Sequence, residues 1–167
     1  MISVKEIKKD IQENKNDIFK SFFPNVKHDF NFKKIKKFKK FHIIIVIGMG
    51  GSILGSKAIY SFLKKKIKKK FIFIDNLDQN LLNNIDKKDL VKALYIIISK
   101  SGNTLETIVN SSFFQKYFNK NNVIIISENK NNILSNFAKK KNYHFFKHNQ
   151  FIGGRYSVFS EVGMLPA

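Results

Sequence analysis

Cysteine is absent, which rules out disulfides and thiolate metal sites and suits a reducing compartment. No apolar run approaches the ~18 residues a membrane span needs, so a soluble chain with no membrane partner is expected. The N-terminal M-I-S-V-K-E-I-K-K-D has no apolar core followed by a small-residue cleavage site. No secretory signal is read there, and a cytoplasmic location is expected. Acidic residues are scarce, 12 against 31 lysines and arginines, which leaves a formal charge of +19. Arginine is scarcer still, occurring once, at Arg155.

What is present is a chain of 167 residues, enough for one domain with a sizeable core, and a 43% hydrophobic content that suits a globular fold. The positive charge admits nucleic acid or an anionic surface as partner. The excess is lysine, however, and it accompanies abundant Asn, Ile and Phe, residues written with A- and T-rich codons. The basic runs at 33–40, 64–70 and 139–141 fall between apolar runs, where solvated faces belong. Base-reading arginine is nearly missing. Nucleic acid is therefore not expected as a partner, although the charge would attract an anionic small substrate.

Residues 3–23 carry Val4, Ile7, Ile11, Ile18, Phe19, Phe22 and Phe23 at helical spacing, which predicts a surface helix ended by Pro24. Residues 25–40 read as a basic connector, so 1–40 form an N-terminal extension. From 41 to 150 short apolar runs alternate with helical stretches. Strands are expected at 43–47, 71–74, 94–98, 123–126 and 143–146. Helices are expected at 52–63, 78–85, 104–117 and 132–140, with a further turn at 86–91. That alternation predicts an α/β fold, a doubly wound five-stranded parallel sheet covered by helices on both faces. Ligands in such sheets sit beyond the carboxyl ends of the strands, where the strand order reverses.

Three stretches stand out. In I-G-M-G-G-S-I-L-G-S, residues 47–56, a strand stops at Gly48 and a helix opens behind Gly50, Gly51 and Ser52. Glycines permit positive φ and close approach of a ligand, and a helix start offers free N–H groups to an anion. In S-K-S-G-N-T-L-E-T, residues 99–107, Ser99, Ser101 and Thr104 place hydroxyls before a second helix start. Asn103 and Glu106 have the spacing of an N-cap and its capping-box partner, so Glu106 is read as structural. On the residues alone Lys100 faces either a phosphate or solvent. In F-I-G-G-R-Y-S-V-F-S, residues 151–160, a glycine pair would deliver Arg155 to a fixed place, where a guanidinium suits a phosphate, a carboxylate or a developing oxyanion. Glu161 is read as structural. His28, His42, His144 and His148 lack ligand-like spacing, so no metal is assigned, and no cofactor is implied.

Together the three stretches resemble glucose-6-phosphate isomerase, and within it the N-terminal sugar-isomerase (SIS) domain, a flavodoxin-like sandwich. The first two are shared among SIS-domain proteins, while G-G-R-Y-S-V-F-S resembles the family's own signature. Ser56 departs from the proline often found there. The resemblance implies interconversion of glucose 6-phosphate and fructose 6-phosphate through an enediolate. It implies that Gly51, Ser52, Ser99, Lys100, Ser101 and Thr104 hold the substrate phosphate and that Arg155 steadies the enediolate charge. No residue matches the family's proton-transferring glutamate or ring-opening histidine. Residues 151–167 are accordingly expected to begin a connection to a second SIS domain, with a homodimer expected for the longer form and no turnover from this chain alone. A non-catalytic SIS module that senses a sugar phosphate fits the first two stretches equally well.

Overall fold

The structure, a computed structural model, describes residues 3–13, 17–21 and 28–167. Five β-branched or aromatic runs form one parallel sheet: β1 (Ile43–Gly48), β2 (Lys70–Ile74), β3 (Leu94–Ile98), β4 (Val123–Ser127) and β5 (His144–Lys147). The order is β2-β1-β3-β4-β5. Central β3 and β4 are buried along their whole length, whereas edge strands β2 and β5 are only partly covered. Burial on both faces explains why the central runs are continuously apolar rather than alternating.

The connecting helices are α4 (Gly51–Leu63), α5 (Gln79–Asn83), α6 (Lys87–Lys92), α7 (Leu105–Phe114) and α8 (Ile133–Lys141). Short α1 (Val4–Glu13), α2 (Asp17–Lys20) and α3 (Phe32–Ile35) precede β1, and α9 (Glu161–Met164) follows β5. Their ends are set by local polar groups. Asp78 caps α5 by accepting from the Asn80 and Leu81 N–H groups, and Asp86 caps α6 through the Lys88 N–H. Asn132 and Ser135 form a reciprocal box at the start of α8, and Asn142 ends it in the left-handed region.

One face of the sheet packs Ile45, Ile47, Tyr95, Ile97, Val123 and Ile125 under side chains of α5 to α8, among them Leu82, Leu90, Phe114 and Leu134. The other face packs Val46, Ile96, Ile98 and Ile124 under Ile53 of α4. Phe38 on one side and Val162 with Leu165 on the other complete that second layer. The sheet is therefore doubly wound, with α4 on one face and the other crossover helices on the opposite face. Residues 30–41 and 152–165 are part of this layer.

The helix expected over 3–23 corresponds to α1 and α2. The apolar Val4 and Ile7 of α1 are exposed rather than buried against a neighbour. The expected stop at Pro24, with Phe22 and Phe23, lies outside the described residues. Among the described residues no helix is long and apolar enough to cross a membrane.

Candidate functional site

Gly48 of β1 pairs with Ile98 of β3, so the loops leaving these two strands start side by side. β1 lies between β2 and β3, and the two loops run to helices on opposite faces of the sheet. Such a reversal opens a crevice at the carboxyl ends. A side chain at Gly48 would press on the Ile98 carbonyl at 3.0 Å and on Ser52 at 3.3 Å. Ser52 therefore sits over the junction from which the second loop departs.

The first loop turns at Gly50, whose φ of 51° is left-handed and whose side-chain position would meet nothing within 4 Å. The Ser52, Ile53 and Leu54 N–H groups bond back to Met49 and Gly50 carbonyls. The Gly50 and Gly51 N–H groups take no acceptor among the described residues. Open space and free donors at the positive end of α4 favour an anion there.

The second loop gathers three hydroxyls. Ser99 Oγ lies 2.8 Å from Thr104 Oγ1, and Ser101 Oγ lies 3.5 Å from both. Ser99 also accepts the Gly102 N–H at 3.1 Å, which folds the loop back on itself. Gly102 takes a φ of 69°, and a Cβ there would stand 2.0 Å from Asn132 Oδ1. Only glycine lets the start of α8 brace this loop.

Asn103 differs from the sequence expectation. α7 begins at Leu105 with Thr104 as its N-cap residue and no side-chain cap bond. Asn103 Oδ1 instead accepts the Ile133 N–H at 3.0 Å, at the first turn of α8. A free N–H on a neighbouring helix outcompetes the local one because the Gly102 turn aims Asn103 outward. Asn132 and Asn103 thus pin the hydroxyl loop from α8, and neither role could be read without knowing that α7 and α8 start together.

Arg155 lies on a 3-10 segment, Gly154–Phe159, whose backbone is packed against the first turn of α4. A Cβ at Gly51 would fall 2.2 Å from the Gly154 carbonyl carbon and 2.7 Å from the Arg155 nitrogen. The buried Ser157 hydroxyl, which the sequence analysis did not single out, lies 2.6 Å from the Gly154 carbonyl and 3.1 Å from the Gly51 carbonyl. It ties the arginine turn to the glycine loop. The Arg155 side chain is exposed. Gly51 therefore serves close packing, and Gly50 carries the open face.

Lys100 goes elsewhere. Its Nζ donates to the Gln150 carbonyl at 2.7 Å and sits 3.7 Å from Glu128 Oε1. The structure thus brings Gly51, Ser52, Ser99, Ser101, Thr104 and the Arg155 backbone to one crevice, and turns the Lys100 ammonium toward an adjoining polar cleft of about 450 Å³. That cleft is lined by His28, Glu128, Lys130, His148 and Glu161, among others. Lys130 and Lys100 hold the Glu128 carboxyl below its ordinary value despite its burial, which pushes the other way. His148 Nδ1 donates to its neighbour's carbonyl, Asn149 O, at 2.8 Å. Burial pushes the His148 ring below the usual histidine value. Glu161 Oε1 accepts the Asp29 N–H at 2.9 Å, a structural tie as expected.

The family described as Phosphoglucose isomerase matches residues 3–167. The glucose-6-phosphate isomerase of Methanocaldococcus jannaschii is 40% identical over 151 residues, covering 86% of this chain and 37% of that protein. The chain spans about a third of the length of the curated relatives it matches. Among solved structures, a hypothetical protein from Thermus thermophilus superposes with a TM-score of 0.68 at 24% identity, over 94% of this chain and 37% of that one. The tagatose-6-phosphate ketose/aldose isomerase of Escherichia coli shares the fold with a TM-score of 0.59 at 15% identity, over 81% of this chain and 42% of that one. With the family match spanning residues 3–167 and relatives 35–40% identical over most of its length, the chain belongs to the phosphoglucose isomerase family.

Proposed function

We propose that this chain forms the phosphate-holding part of an aldose–ketose isomerase that interconverts glucose 6-phosphate and fructose 6-phosphate. The observation that supports it best is the triangle of Ser99, Ser101 and Thr104 hydroxyls on the loop leaving β3, whose neighbouring strand β1 leads into the loop of Gly50 and Gly51, where the N–H groups take no acceptor among the described residues. A phosphate dianion needs several donors converging from more than one direction, and two loops at a switch point supply them.

The roles follow from placement. Ser52, Ser99, Ser101 and Thr104 bind the phosphate oxygens, and the start of α4 adds its positive end. With the phosphate fixed, the sugar chain extends along the crevice toward the turn that carries Arg155. In the open-chain aldose a base removes the C2 proton. The C–H electron pair becomes the C1–C2 double bond, and the aldehyde oxygen takes the negative charge. The O2 proton then passes to O1, the O2 electrons form the C2 carbonyl, and the C1–C2 pair takes a proton at C1, which gives the ketose. The Arg155 guanidinium offsets the charge on the enediolate oxygens, a preorganised electrostatic role. This reading assigns no residue of the chain to the proton transfer itself. Lys100 joins the phosphate only by leaving the Gln150 carbonyl, so its part is secondary.

The test is calorimetric titration of the chain with glucose 6-phosphate, glucose and inorganic phosphate. Glucose 6-phosphate and phosphate bind and glucose does not. The double substitution Ser99→Ala with Thr104→Val lowers affinity by about tenfold or more, the loss of two charge-assisted hydrogen bonds. Equal binding of glucose, or unchanged affinity in the double variant, overturns the reading. In a coupled assay the chain alone gives no turnover. Turnover abolished by Arg155→Ala would instead place the base among its own residues.

A further inference from the structure

We propose that the amino-terminal end of the sheet is a binding surface for single-stranded nucleic acid, engaged without regard to sequence. In a parallel sheet every segment leading into a strand lies at the amino end. After the chain has crossed the sheet face, residues 36–40 lead to β1 and hold four lysines with no acid, and residues 64–70 lead to β2 and hold six more. Residues 139–141 lead to β5 and are all lysine. The segments leaving the strands, at the other end, are close to neutral. A bias in composition accounts for the number of lysines; it does not sort them to one end.

The separate runs form one band. Lys69 Nζ donates to the Lys39 and Phe41 carbonyls, which joins the β1 and β2 segments. Lys37 Nζ lies 3.3 Å from His144 Nδ1, and the Phe38 and His144 rings meet at 5.0 Å, which carries the 36–40 segment across to β5. Five strands at ~4.8 Å spacing make the band about 19 Å wide, the span of a few nucleotides. Ion pairs do little to neutralise it: Lys70 with Asp89 is the pair within these runs among the described residues. Burial lowers the Lys69 and His144 values, and Lys39 and Lys37, respectively, lower them further. Crowded cations of this kind are relieved by a polyanion, which releases its own counterions on binding.

Two features favour nucleic acid over a lipid surface. The lysines extend from loops and helix ends around a sheet edge, not from one amphipathic helix with an apolar face to insert. Phe62 is 88% exposed at the end of α4, just before Lys64, Lys65 and Lys66, and offers a stacking platform to an unpaired base. Lysine as a point charge contacts phosphates without reading bases, so the binding is sequence-independent.

Fluorescence anisotropy of a labelled oligouridylate of about 12 nucleotides with the whole chain tests this. Affinity falls with salt, with a log–log slope of about −4 for roughly six phosphates contacted. Replacing exposed Lys39, Lys65, Lys68 and Lys140 with glutamine lowers affinity at least tenfold and flattens the slope, while Lys130→Gln with Lys147→Gln at the other end leaves both unchanged. Phe62→Ala weakens the single strand several-fold, and circular dichroism shows each variant folded. The proposal is overturned if both sets of substitutions weaken binding equally. It is also overturned if a duplex of the same length binds as tightly as the single strand, or if phosphatidylserine vesicles bind the chain and the oligonucleotide does not.

Discussion

At the carboxyl end of the sheet the packing is tight: Gly51 presses on the Gly154 main chain, Gly48 on the Ile98 carbonyl, and Gly102 on the Asn132 carboxamide. At the amino end the same strands are entered through solvated lysines, with Lys69 bonding to carbonyls of the neighbouring segment that enters β1. At Gly51 and Gly102 the carboxyl end has no room for a methyl group, whereas the amino end carries long side chains whose heads, Lys69 apart, stay in water. The difference shows which end is constrained by shape. A crevice that positions a small dianion to within an ångström needs fixed donors, and fixed donors need a packed frame. An end that meets water or a flexible polyanion needs only charge.

The sharpest way to break this comparison is to put a side chain where the frame has none. Gly102→Val must hold a β-branched residue at positive φ while displacing the Asn132 carboxamide from the α8 cap. Strain of about 1–3 kcal/mol and a lost cap of about 1 kcal/mol predict a total near 3 kcal/mol, read from the urea midpoint. Lys68→Val at the amino end should stay within about 0.5 kcal/mol. Similar losses at the two positions would show that the frame is not where the rigidity lies.

A milder probe removes the clasp rather than the frame. Ser157→Ala leaves the Gly154 and Gly51 carbonyls without their buried donor, at a cost of about 1–2 kcal/mol in stability. Because the clasp holds the arginine turn to α4, amide exchange at Gly154 and Arg155 should accelerate more than at the strands. Uniform acceleration would mean that the turn is held by packing, Gly154 on Gly51 and Val158 on Gly55, and not by the hydroxyl.

Much of this frame was legible in the sequence, for identifiable reasons. Ile43–Ile47 and Val123–Ile126 could be read as strands because continuous β-branched runs between turn residues have few alternatives. The hydroxyl loop was legible because Ser99, Ser101 and Thr104 are near neighbours in sequence. Asn103 was misread because its partner, the Ile133 N–H, lies 30 residues away and only the fold brings α7 and α8 together. The direction of Lys100 depends likewise on Glu128 and Gln150. The gathering of the lysines at one end was hidden, because a parallel sheet brings together segments that the sequence separates.

The smallest effect distinguishes the two ends by their histidines, which sit at opposite ends of β5. His144 at the amino end is lowered by burial and then by the Lys37 ammonium, while His148 at the carboxyl end is lowered chiefly by burial. Lys100 adds to the His148 shift, and the Asn149 carbonyl, Glu161 and Glu128 oppose it. Both rings are held neutral in the folded chain and take protons more readily when unfolded. The unfolded state therefore binds more protons just below the ordinary value of 6.5, and stability present above that pH is lost as pH falls through it. Salt separates the two contributions. Screening weakens the part of the His144 shift that comes from Lys37, which is exposed, and leaves desolvation untouched. In urea titrations between pH 7 and 5, Lys37→Gln should reduce the slope of stability with pH at low salt and have little effect at high salt. His148→Gln should reduce it by the same amount at both. If the two substitutions respond alike to salt, the amino end does not carry the uncompensated field that its crowded lysines imply.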